Sequence, residues 1–381
     1  MKVVTPLVQV WLPALLNKQR EQLDKKTGAY PFFLCYAIFM NKKIVFDCLG
    51  GDKGLAEMLP GAITALTKHP DLKMVLVGDA GVIGPQVAQF GDRVEVVDSK
   101  ENIAMDEHPT EAIRHKPNSS LVLGLEQLKT RDDCGAFLSA GSTGAVLTGG
   151  FLKVGRIPGV SRPAMCPNLP TAVGNQTFML IDCGANMDCA PVNLVHFAVM
   201  ANEYQKLRGI ANPRVALLNV GSESTKGNEL VKATHALLTK LSEAGQINFV
   251  GNIEADQVFK ATADIVVTDG FWGNVLLKSV EGTVKFAFGE VKKVLTSSFL
   301  TKIGALLVGG KLKEFAKAKM DGQAASIFIG LKKPVIKMHG NANAAKVVAA
   351  IEYAMSVVDL DLGDVIAKAL TTAEPIIGKN E

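Results

Sequence analysis

The sequence has few cysteines, and their spacing is irregular. They form no C-x-x-C pair and stand at Cys35, Cys48, Cys134, Cys166, Cys183 and Cys189. Zinc sites and disulfide frameworks use closer or more regular spacings. Disulfides are also rare in a reducing cytoplasm. We therefore interpret these residues as small buried thiols of a cytoplasmic protein.

The sequence also lacks long apolar runs and a strong excess of either charge. No apolar run reaches the roughly 18–20 residues that a membrane-spanning helix needs. Charged residues make up 20% of the 381 positions, and 41 Lys and Arg against 37 Asp and Glu leave a net charge of +4. This mild excess excludes the dense basic surface of a nucleic-acid-binding protein. With 48% hydrophobic residues, the chain can bury a large core.

Several common catalytic and cofactor motifs are missing. There is no G-x-x-x-x-G-K-[ST] loop, no G-x-S-x-G turn and no pair of histidines at metal-binding spacing. Residues 78–84 have the spacing G-x-x-G-x-x-G, which lacks the close first pair of glycines of a dinucleotide-binding loop. The sequence therefore predicts neither a bound metal nor a nucleotide cofactor.

The chain does contain a repeated pattern, in which a short apolar run ends in Gly, Asp, Asn or Ser and a helical stretch follows. Continuous apolar strands are typical of a mostly parallel sheet that helices cover on both faces. We therefore predict an α/β fold with a doubly wound, mostly parallel sheet. The predicted strands are 43–47, 74–78, 94–98, 136–139, 178–182, 214–219, 248–251, 265–269 and, with a weaker pattern, 335–337.

Polar residues follow these strands on the carboxyl side, the edge of an open parallel sheet at which ligands bind. Four turns combine glycines with hydroxyl, amide or charged side chains, at 139–145, 181–186, 219–229 and 268–278. The first turn opens a helix, where backbone N–H groups can hold an anion. Each turn alone could be a capped strand–helix connection. Together they predict one binding crevice at one sheet edge.

Residues 291–320 form a basic amphipathic segment. Gly309 and Gly310 separate two apolar stripes, and seven lysines against one glutamate, Glu314, leave a net charge of +6. Such a helical hairpin can lie on an anionic membrane surface. The alternative is a solvated helical pair packed on its own domain or on a dimer partner. The residues expected at the membrane are Phe299, Ile303, Leu306, Leu307, Leu312 and Phe315.

The first 39 residues do not fit the strand–helix pattern. Met40 stands just before the first predicted strand, which begins at residue 43. We therefore expect residues 1–39 to be an extension outside the fold, and residues 40–375 to form one domain. A domain boundary near residues 150–175, where glycines and prolines interrupt the pattern, is the alternative.

Eight stretches of the chain resemble a known family. They lie between about Met40 and about Asn343, at 47–52, 139–145, 155–159, 162–163, 182–188, 219–229, 250–254 and 269–278. In these stretches the sequence resembles the PlsX family of bacterial phosphate acyltransferases. The resemblance implies a homodimeric α/β/α sandwich similar to isocitrate and isopropylmalate dehydrogenases, without a nucleotide cofactor.

The resemblance also implies a reaction, in which a fatty acyl group moves from acyl carrier protein to inorganic phosphate. The acyl phosphate would then pass to a membrane glycerol-3-phosphate acyltransferase, which opens phospholipid synthesis. Members of this family are cytoplasmic and associate peripherally with the inner face of the cell membrane. This favours the membrane interpretation of the 291–320 hairpin.

Attack of phosphate on a thioester needs an oriented anion and donors for the tetrahedral oxyanion, but neither an activated serine nor a metal. We expect Lys226 and Asn274 to be catalytic, with Lys226 neutralising phosphate or the oxyanion. Exposed arginines such as Arg156 and Arg162 would dock the acidic carrier protein. The expected substrate-binding residues are Gly141, Ser142, Thr143, Gly144, Asp182, Gly184, Asn186, Asn219, Gly221, Glu223, Asn228, Asp269, Gly270, Gly273 and Lys278.

Within this set we expect further roles. Backbone N–H groups near Ser142, Thr143 and Gly273 would add oxyanion donors. The acidic and amide residues, which would orient these groups or relay a proton, are Asp182, Asn186, Glu223 and Asp269.

Three alternative functions remain open at this point. A phosphotransacetylase-like enzyme would use acyl-CoA rather than acyl carrier protein. A dehydrogenase of the same fold would bind a nicotinamide cofactor. A non-catalytic membrane-surface scaffold would bind lipid without cleaving a thioester, although four convergent polar turns argue against it.

Overall fold

The computed structural model describes residues 42–320 and 325–378. The expected extension, residues 1–39, lies outside the described residues. Within the described ranges the strands divide between two sheets.

Seven strands form the first sheet: β1 (Lys43–Asp47), β2 (Met74–Gly78), β3 (Val94–Asp98), β4 (Cys134–Ser139), β5 (Ala164–Cys166), β11 (Ala325–Ile329) and β12 (Val335–Met338). Their order is β3-β2-β1-β4-β12-β11-β5. The first five strands in this order run parallel, whereas β11 is antiparallel to β12 and to β5. The parallel strands β2 and β4 are buried along their whole length, as expected for a sheet covered on both faces.

Five strands form the second sheet: β6 (Asn168–Pro170), β7 (Thr177–Ile181), β8 (Arg214–Leu218), β9 (Asn248–Ile253) and β10 (Ile265–Val267). Their order is β6-β7-β10-β8-β9, and only β6 pairs antiparallel. The carboxyl ends of β7, β10 and β8 are therefore neighbours at one edge.

The predicted α/β class with mostly parallel strands is confirmed, and all nine predicted strands are present. The expectation of a single sheet is wrong, because β4 and β12 belong to one sheet and β7, β8 and β10 to another. The pattern also missed β5, β6 and β11. These strands form antiparallel pairs, and β5 and β6 have only three residues each, which is too short for a periodic signal.

The described helices of regular α type are α1 (Leu55–Lys68), α2 (Ala80–Val87), α3 (Pro109–His115), α4 (Ser120–Thr130), α5 (Thr143–Gly149), α6 (Pro191–Leu207), α7 (Glu229–Glu243), α8 (Gly270–Leu295), α9 (Phe299–Met320), α10 (Ala344–Met355) and α11 (Leu362–Ile377). One hydrophobic cluster joins the two sheets. Phe197 and Tyr204 on α6 are fully buried in it, together with Phe46 of the first sheet and Ile265 of the second. Shared packing on α6 holds the sheets beside each other.

The basic hairpin has its break at a different place from the one expected. The chain turns between α8 and α9 at residues 296–298, and Gly309 and Gly310 lie inside α9. Hydroxyl groups explain the turn. The Thr296 hydroxyl donates to the Lys292 carbonyl over 2.8 Å, and the Ser298 hydroxyl accepts from the Thr301 N–H over 3.2 Å. Glycine weakens a helix by about 1 kcal/mol without ending it.

The length and composition of these helices bear on membrane insertion. In the part of the chain that the structure describes, no helix has the combination of length and apolarity that crossing a bilayer requires.

Lys333 ties the end of α4 to the start of β4. Its Nζ donates to the carbonyls of Leu128 and Arg131, each over 2.7 Å, and to that of Cys134 over 3.2 Å. Burial lowers the pKa of Lys333. The three bonds use all three donors of the ammonium group, so the role of this lysine is structural.

We predict that Lys333→Met lowers the free energy of unfolding by about 1–3 kcal/mol, because three carbonyls lose a charged donor. The neighbouring Lys332 is exposed, and Lys332→Met is the matched control, with an expected change within about 0.5 kcal/mol. Chemical denaturation of both variants measures the difference. Equal stabilities of the two would contradict this account.

Candidate functional site

A cavity of about 270 Å³ lies between the two sheets, among the turns that follow β4, β7 and β12 and the first turns of α8. Its apolar lining includes Met165, Pro167, Leu169, Leu277 and Met338. Its polar lining includes Thr143, Asn274, Lys278, Glu281, Lys337 and His339. A ligand that is partly apolar and partly anionic would match this mixed lining.

The first turns of α8 supply three of the polar side chains. Asn274, Lys278 and Glu281 are four and three residues apart, so they share one face of the helix. Asp269 caps the helix, because its Oδ1 accepts from the Trp272 N–H over 2.8 Å. Lys278 Nζ lies 3.1 Å from Glu281 Oε2, which partly neutralises both charges.

The amino end of α8 packs directly on the loop that follows β7. A Cβ added at Gly273 would lie 1.9 Å from the Asp182 carbonyl oxygen, and one at Gly270 would lie 2.6 Å from the Asn186 carbonyl oxygen. Only glycine permits this approach. The Gly273 N–H donates to the Asp269 carbonyl over 3.0 Å, so contrary to expectation it is already engaged within the helix.

Asp182 holds the same loop from the inside. Its Oδ1 accepts from the N–H groups of Met165 over 2.9 Å and Cys183 over 2.6 Å. Its Oδ2 accepts from the backbone and side-chain N–H groups of Asn186 over 2.6 and 2.9 Å. Burial raises the pKa of Asp182 to about 6, although these hydrogen bonds favour the carboxylate. The side chains of Asp182 and Asn186 therefore fix the shape of the loop without lining the cavity themselves.

Asp47 has the corresponding position at the end of β1. Its Oδ1 accepts from the N–H groups of residues 49–50 and from the Ser120 hydroxyl, and its Oδ2 accepts from the Ser139 hydroxyl over 2.7 Å. Ser139 Oγ in turn accepts from the Gly141 N–H over 2.9 Å. Burial raises the pKa of Asp47. This network fixes the turn that follows β4.

Lys337 and His339 line the cavity from the end of β12. Lys337 is only 8% exposed, and its Nζ donates to the carbonyls of Ala140, over 3.4 Å, and of Met338. Burial lowers the pKa of Lys337 to about 8, and it also lowers the pKa of His339. The cavity therefore contains a buried amine that can gain or lose its proton near neutral pH.

Cys183 lines the cavity but is unsuited to nucleophilic attack. Burial raises the pKa of its thiol to about 12, and the Sγ donates to the Gly273 carbonyl over 3.5 Å. Because the thiolate is the reactive form, this residue stays inert. All five described cysteines are free thiols, and the predicted burial is confirmed for four of them, whereas Cys189 is half-buried.

Three of the four predicted turns reach the cavity. The expected residues that line it are Thr143, Gly184, Asn274 and Lys278. Others from the same turns are not part of the lining: Gly141, Ser142, Gly144, Asp182, Asn186, Asp269, Gly270 and Gly273. Asp182, Asn186, Asp269, Gly270 and Gly273 instead support the loop and the helix end that form part of the lining.

The turn at 219–229 follows β8, at the same edge of the second sheet, but its residues do not line the cavity. Asn219 donates to the Lys226 carbonyl over 3.1 Å, and Asn228 caps α7 by accepting from the Val231 N–H over 2.9 Å. The side chain of Lys226 is exposed. Gly221 and Glu223, the remaining expected residues of this turn, do not line the cavity either. The single crevice predicted from four turns thus gathers three of them.

The sequence reasoning missed Lys337 and Glu281. Lys337 is the basic residue in the otherwise apolar strand β12, and this unusual position was an available signal. Glu281 lies inside α8 and resembles any surface glutamate of a helix, so only the fold reveals its place. Met165 was missed because its short strand was missed.

Comparisons with known proteins place the chain in a family. Residues 42–364 match the family described as "Fatty acid synthesis protein". The chain is 42% identical over 335 residues to "Phosphate acyltransferase" of Halalkalibacterium halodurans, an alignment that covers 87% of this chain and 97% of that protein. It is 42% identical over 329 residues to "Phosphate acyltransferase" of Bacillus subtilis, covering 85% of this chain and 96% of that protein.

Solved structures of low sequence identity share the fold. A phosphotransacetylase from Streptococcus pyogenes matches with a TM-score of 0.56 and 16% identity, covering 94% of this chain and 99% of that one. The EutD phosphotransacetylase from Staphylococcus aureus matches with a TM-score of 0.51 and 15% identity, covering 87% and 95%. These likenesses concern the fold alone.

We predict that Gly273→Ala displaces the amino end of α8, because the new methyl group overlaps the Asp182 carbonyl oxygen. The thermal midpoint should fall, by an amount equivalent to about 1–3 kcal/mol or more. Gly282→Ala on the same helix is the matched control, since no atom lies within 4 Å of its added Cβ. A midpoint of Gly273→Ala at or above that of Gly282→Ala would contradict the packing described here.

Proposed function

This chain belongs to the PlsX-type family of phosphate acyltransferases, and we propose that it transfers a fatty acyl group from acyl carrier protein to inorganic phosphate. The product would be an acyl phosphate for phospholipid synthesis. The observation that carries the proposal is the mixed lining of the cavity, which combines apolar side chains with Asn274, Lys278 and Lys337. A thioester presents an apolar chain and a carbonyl group, and phosphate presents the anion.

The reaction balances without a further reactant. A phosphate oxygen attacks the thioester carbonyl carbon, the new C–O bond forms, and the C–S bond breaks. The proton of hydrogen phosphate ends on the sulfur, so that acyl phosphate and the free carrier thiol are the products. The protein must orient the two substrates and stabilise the oxyanion.

The residues that line the cavity suit this task to different degrees. Asn274 can donate an amide N–H to the thioester oxyanion, and Thr143 can donate a hydroxyl at the opposite turn. Lys278 adds positive charge that Glu281 partly offsets. The catalytic role expected for Lys226 stays a prediction, since its side chain lies outside the cavity lining. Lys226→Ala should be compared with the wild type for phosphate-dependent release of the carrier thiol.

Two exposed arginines, Arg156 and Arg162, support docking of an acidic carrier protein. The Arg162 guanidinium donates to the Asp188 carbonyl over 2.6 Å, and the Arg156 guanidinium lies over the Phe151 ring, 5.1 Å from its centroid. These contacts hold both guanidinium groups in place. Among the described residues, neither group forms an ion pair with a carboxylate. Complementary charge would steer the carrier toward the site.

The exposed hairpin supports peripheral association of a cytoplasmic enzyme with the inner face of the membrane. Leu306 and Leu307 are 83% and 82% exposed, and Phe299 is 77% exposed. Ile303 and Phe315 are also exposed, whereas Leu312 is half-buried. Exposed apolar groups on a basic helix favour an anionic lipid surface. There the product would reach a membrane glycerol-3-phosphate acyltransferase.

A homodimer is the remaining partner that the resemblance implies, and it stays a prediction. Sedimentation equilibrium of the purified chain would measure its mass in solution. Twice the chain mass of 40.5 kDa would support the dimer, and the single mass would contradict it.

We expect the purified protein to release free carrier thiol and acyl phosphate from palmitoyl-acyl carrier protein only when inorganic phosphate is present. Thiol titration and acyl phosphate trapping with hydroxylamine measure the two products. Release from acyl-CoA but not from the carrier would favour a phosphotransacetylase-like enzyme. Lipid binding without any thioester loss would favour the scaffold, and nicotinamide binding the dehydrogenase.

We predict that Leu306→Glu combined with Leu307→Glu lowers binding to vesicles of phosphatidylglycerol and phosphatidylcholine by at least about tenfold, because two leucines no longer enter the lipid. Thr371→Glu with Thr372→Glu on α11 is the matched control, since it adds the same charge at exposed positions elsewhere. Vesicle co-sedimentation compares them. Equal binding would show that general charge, rather than the hairpin, controls association.

A further inference from the structure

Lys337 lies between two strands that carry polar side chains of the cavity region. On the first sheet it pairs with Ser139 of β4 on one side and with Ser326 of β11 on the other. Ser139 belongs to the Asp47 network, and Ser326 lines the cavity. The lysine is thus built into the sheet at a fixed position, rather than carried on a flexible loop.

The burial of this amine is not matched by a carboxylate. Lys337 is 8% exposed, and among the described residues no acidic oxygen lies within 4 Å of its Nζ. A buried charge is costly unless it is paired and hydrogen-bonded. Lys278 on α8 is paired with Glu281, and its side chain is 61% exposed. Of the two lysines in the cavity lining, Lys337 is therefore the one that a bound anion would stabilise more.

A comparison with Lys333 separates a structural lysine from this one. Lys333 uses all three donors on backbone carbonyls and does not line the cavity. Lys337 donates to two carbonyls, and the bond to Ala140 is long at 3.4 Å. An ammonium group has three donors. At least one donor of Lys337 is thus without an acceptor among the described residues, and the residue lines the cavity.

We propose that Lys337 binds the phosphoryl group in this cavity, first as inorganic phosphate and then as the phosphate end of the acyl phosphate. The inference rests on the proposed function for the identity of the anion. The ammonium group would donate a charge-assisted hydrogen bond to a phosphate oxygen. Another oxygen of the same phosphate would then face the thioester carbonyl beside Asn274 on α8.

The surroundings of Lys337 give the inference a pH dependence. Burial lowers the pKa of Lys337 to about 8, with Asp52 and Asp47 raising it and Lys278 lowering it further. The remaining charged or titratable groups of the cavity are Glu281 on α8, His339 at the end of β12 and the thiol of Cys183 after β7. Because the amine loses its charge as pH rises through about 8, phosphate binding should weaken above that pH.

Steady-state kinetics with varied inorganic phosphate test the inference. Lys337→Met should raise the KM for phosphate by roughly ten- to a hundredfold, since a charged hydrogen bond is lost. The KM for the acyl donor should change by less than about threefold. Lys333→Met is the control for loss of a buried lysine elsewhere, and its KM for phosphate should stay at the wild-type value.

Lys337→Arg keeps the charge and does not titrate near neutral pH. It should retain phosphate binding, and kcat/KM for phosphate should no longer fall above about pH 8. A fall at the same pH as in the wild type would overturn the inference. An unchanged phosphate KM in Lys337→Met, or a change confined to the acyl donor, would overturn it as well.

A binding measurement separates this inference from the proposed function. Inorganic phosphate should raise the thermal midpoint of the wild type and of Lys333→Met, but not that of Lys337→Met. If the wild type showed this shift without any phosphate-dependent thioester loss, the proposed function would fail and the phosphate site would stand. Equal shifts in the wild type and in Lys337→Met would overturn the site, whatever the activity.

Discussion

The contact between the amino end of α8 and the loop after β7 governs the geometry of the cavity. Gly270 and Gly273 allow the helix to meet the backbone of residues 182–186 without an intervening side chain. Asp182 keeps that loop in shape through its hydrogen bonds with backbone N–H groups. The positions of Asn274 and the residues one and two turns later follow from this contact, because a helix transmits the placement of its first turn along its axis.

Much of the fold could be predicted because buried parallel strands have a strong local pattern. The nine predicted strands required only apolar runs with polar carboxyl ends, which each segment shows by itself. The division into two sheets could not be predicted, since pairing depends on contacts between distant segments. The turn of the hairpin was misplaced for a different reason: a glycine pair looks like a break, whereas capping hydroxyls at residues 296–298 decide where the helix ends.

The candidate site was predicted in part. Glycines with polar neighbours after strands mark loops that approach a ligand, so Thr143, Gly184 and Asn274 could be found from the sequence. The same pattern at residues 219–229 serves to close its own turn and to cap α7. Lys337 was missed because the strand–turn pattern concerns Gly, Asp, Asn and Ser at strand ends, and a lysine at the end of a predicted strand does not belong to it. A lysine within a buried strand is more informative, since burial of its charge requires a specific compensation.

Because α8 is one uninterrupted helix, it fixes the distance between the cavity and the hairpin turn. Its 26 residues span about 39 Å, from the cavity at its amino end to the hairpin turn at its carboxyl end. If the hairpin lies on lipid, this rod acts as a spacer that sets how far the reacting carbonyl stands from the bilayer surface. It also sets an angular register, because each residue advances a helix by about 100°. Adding a single residue in its middle would leave both ends folded but rotate the lipid-facing side away from the membrane.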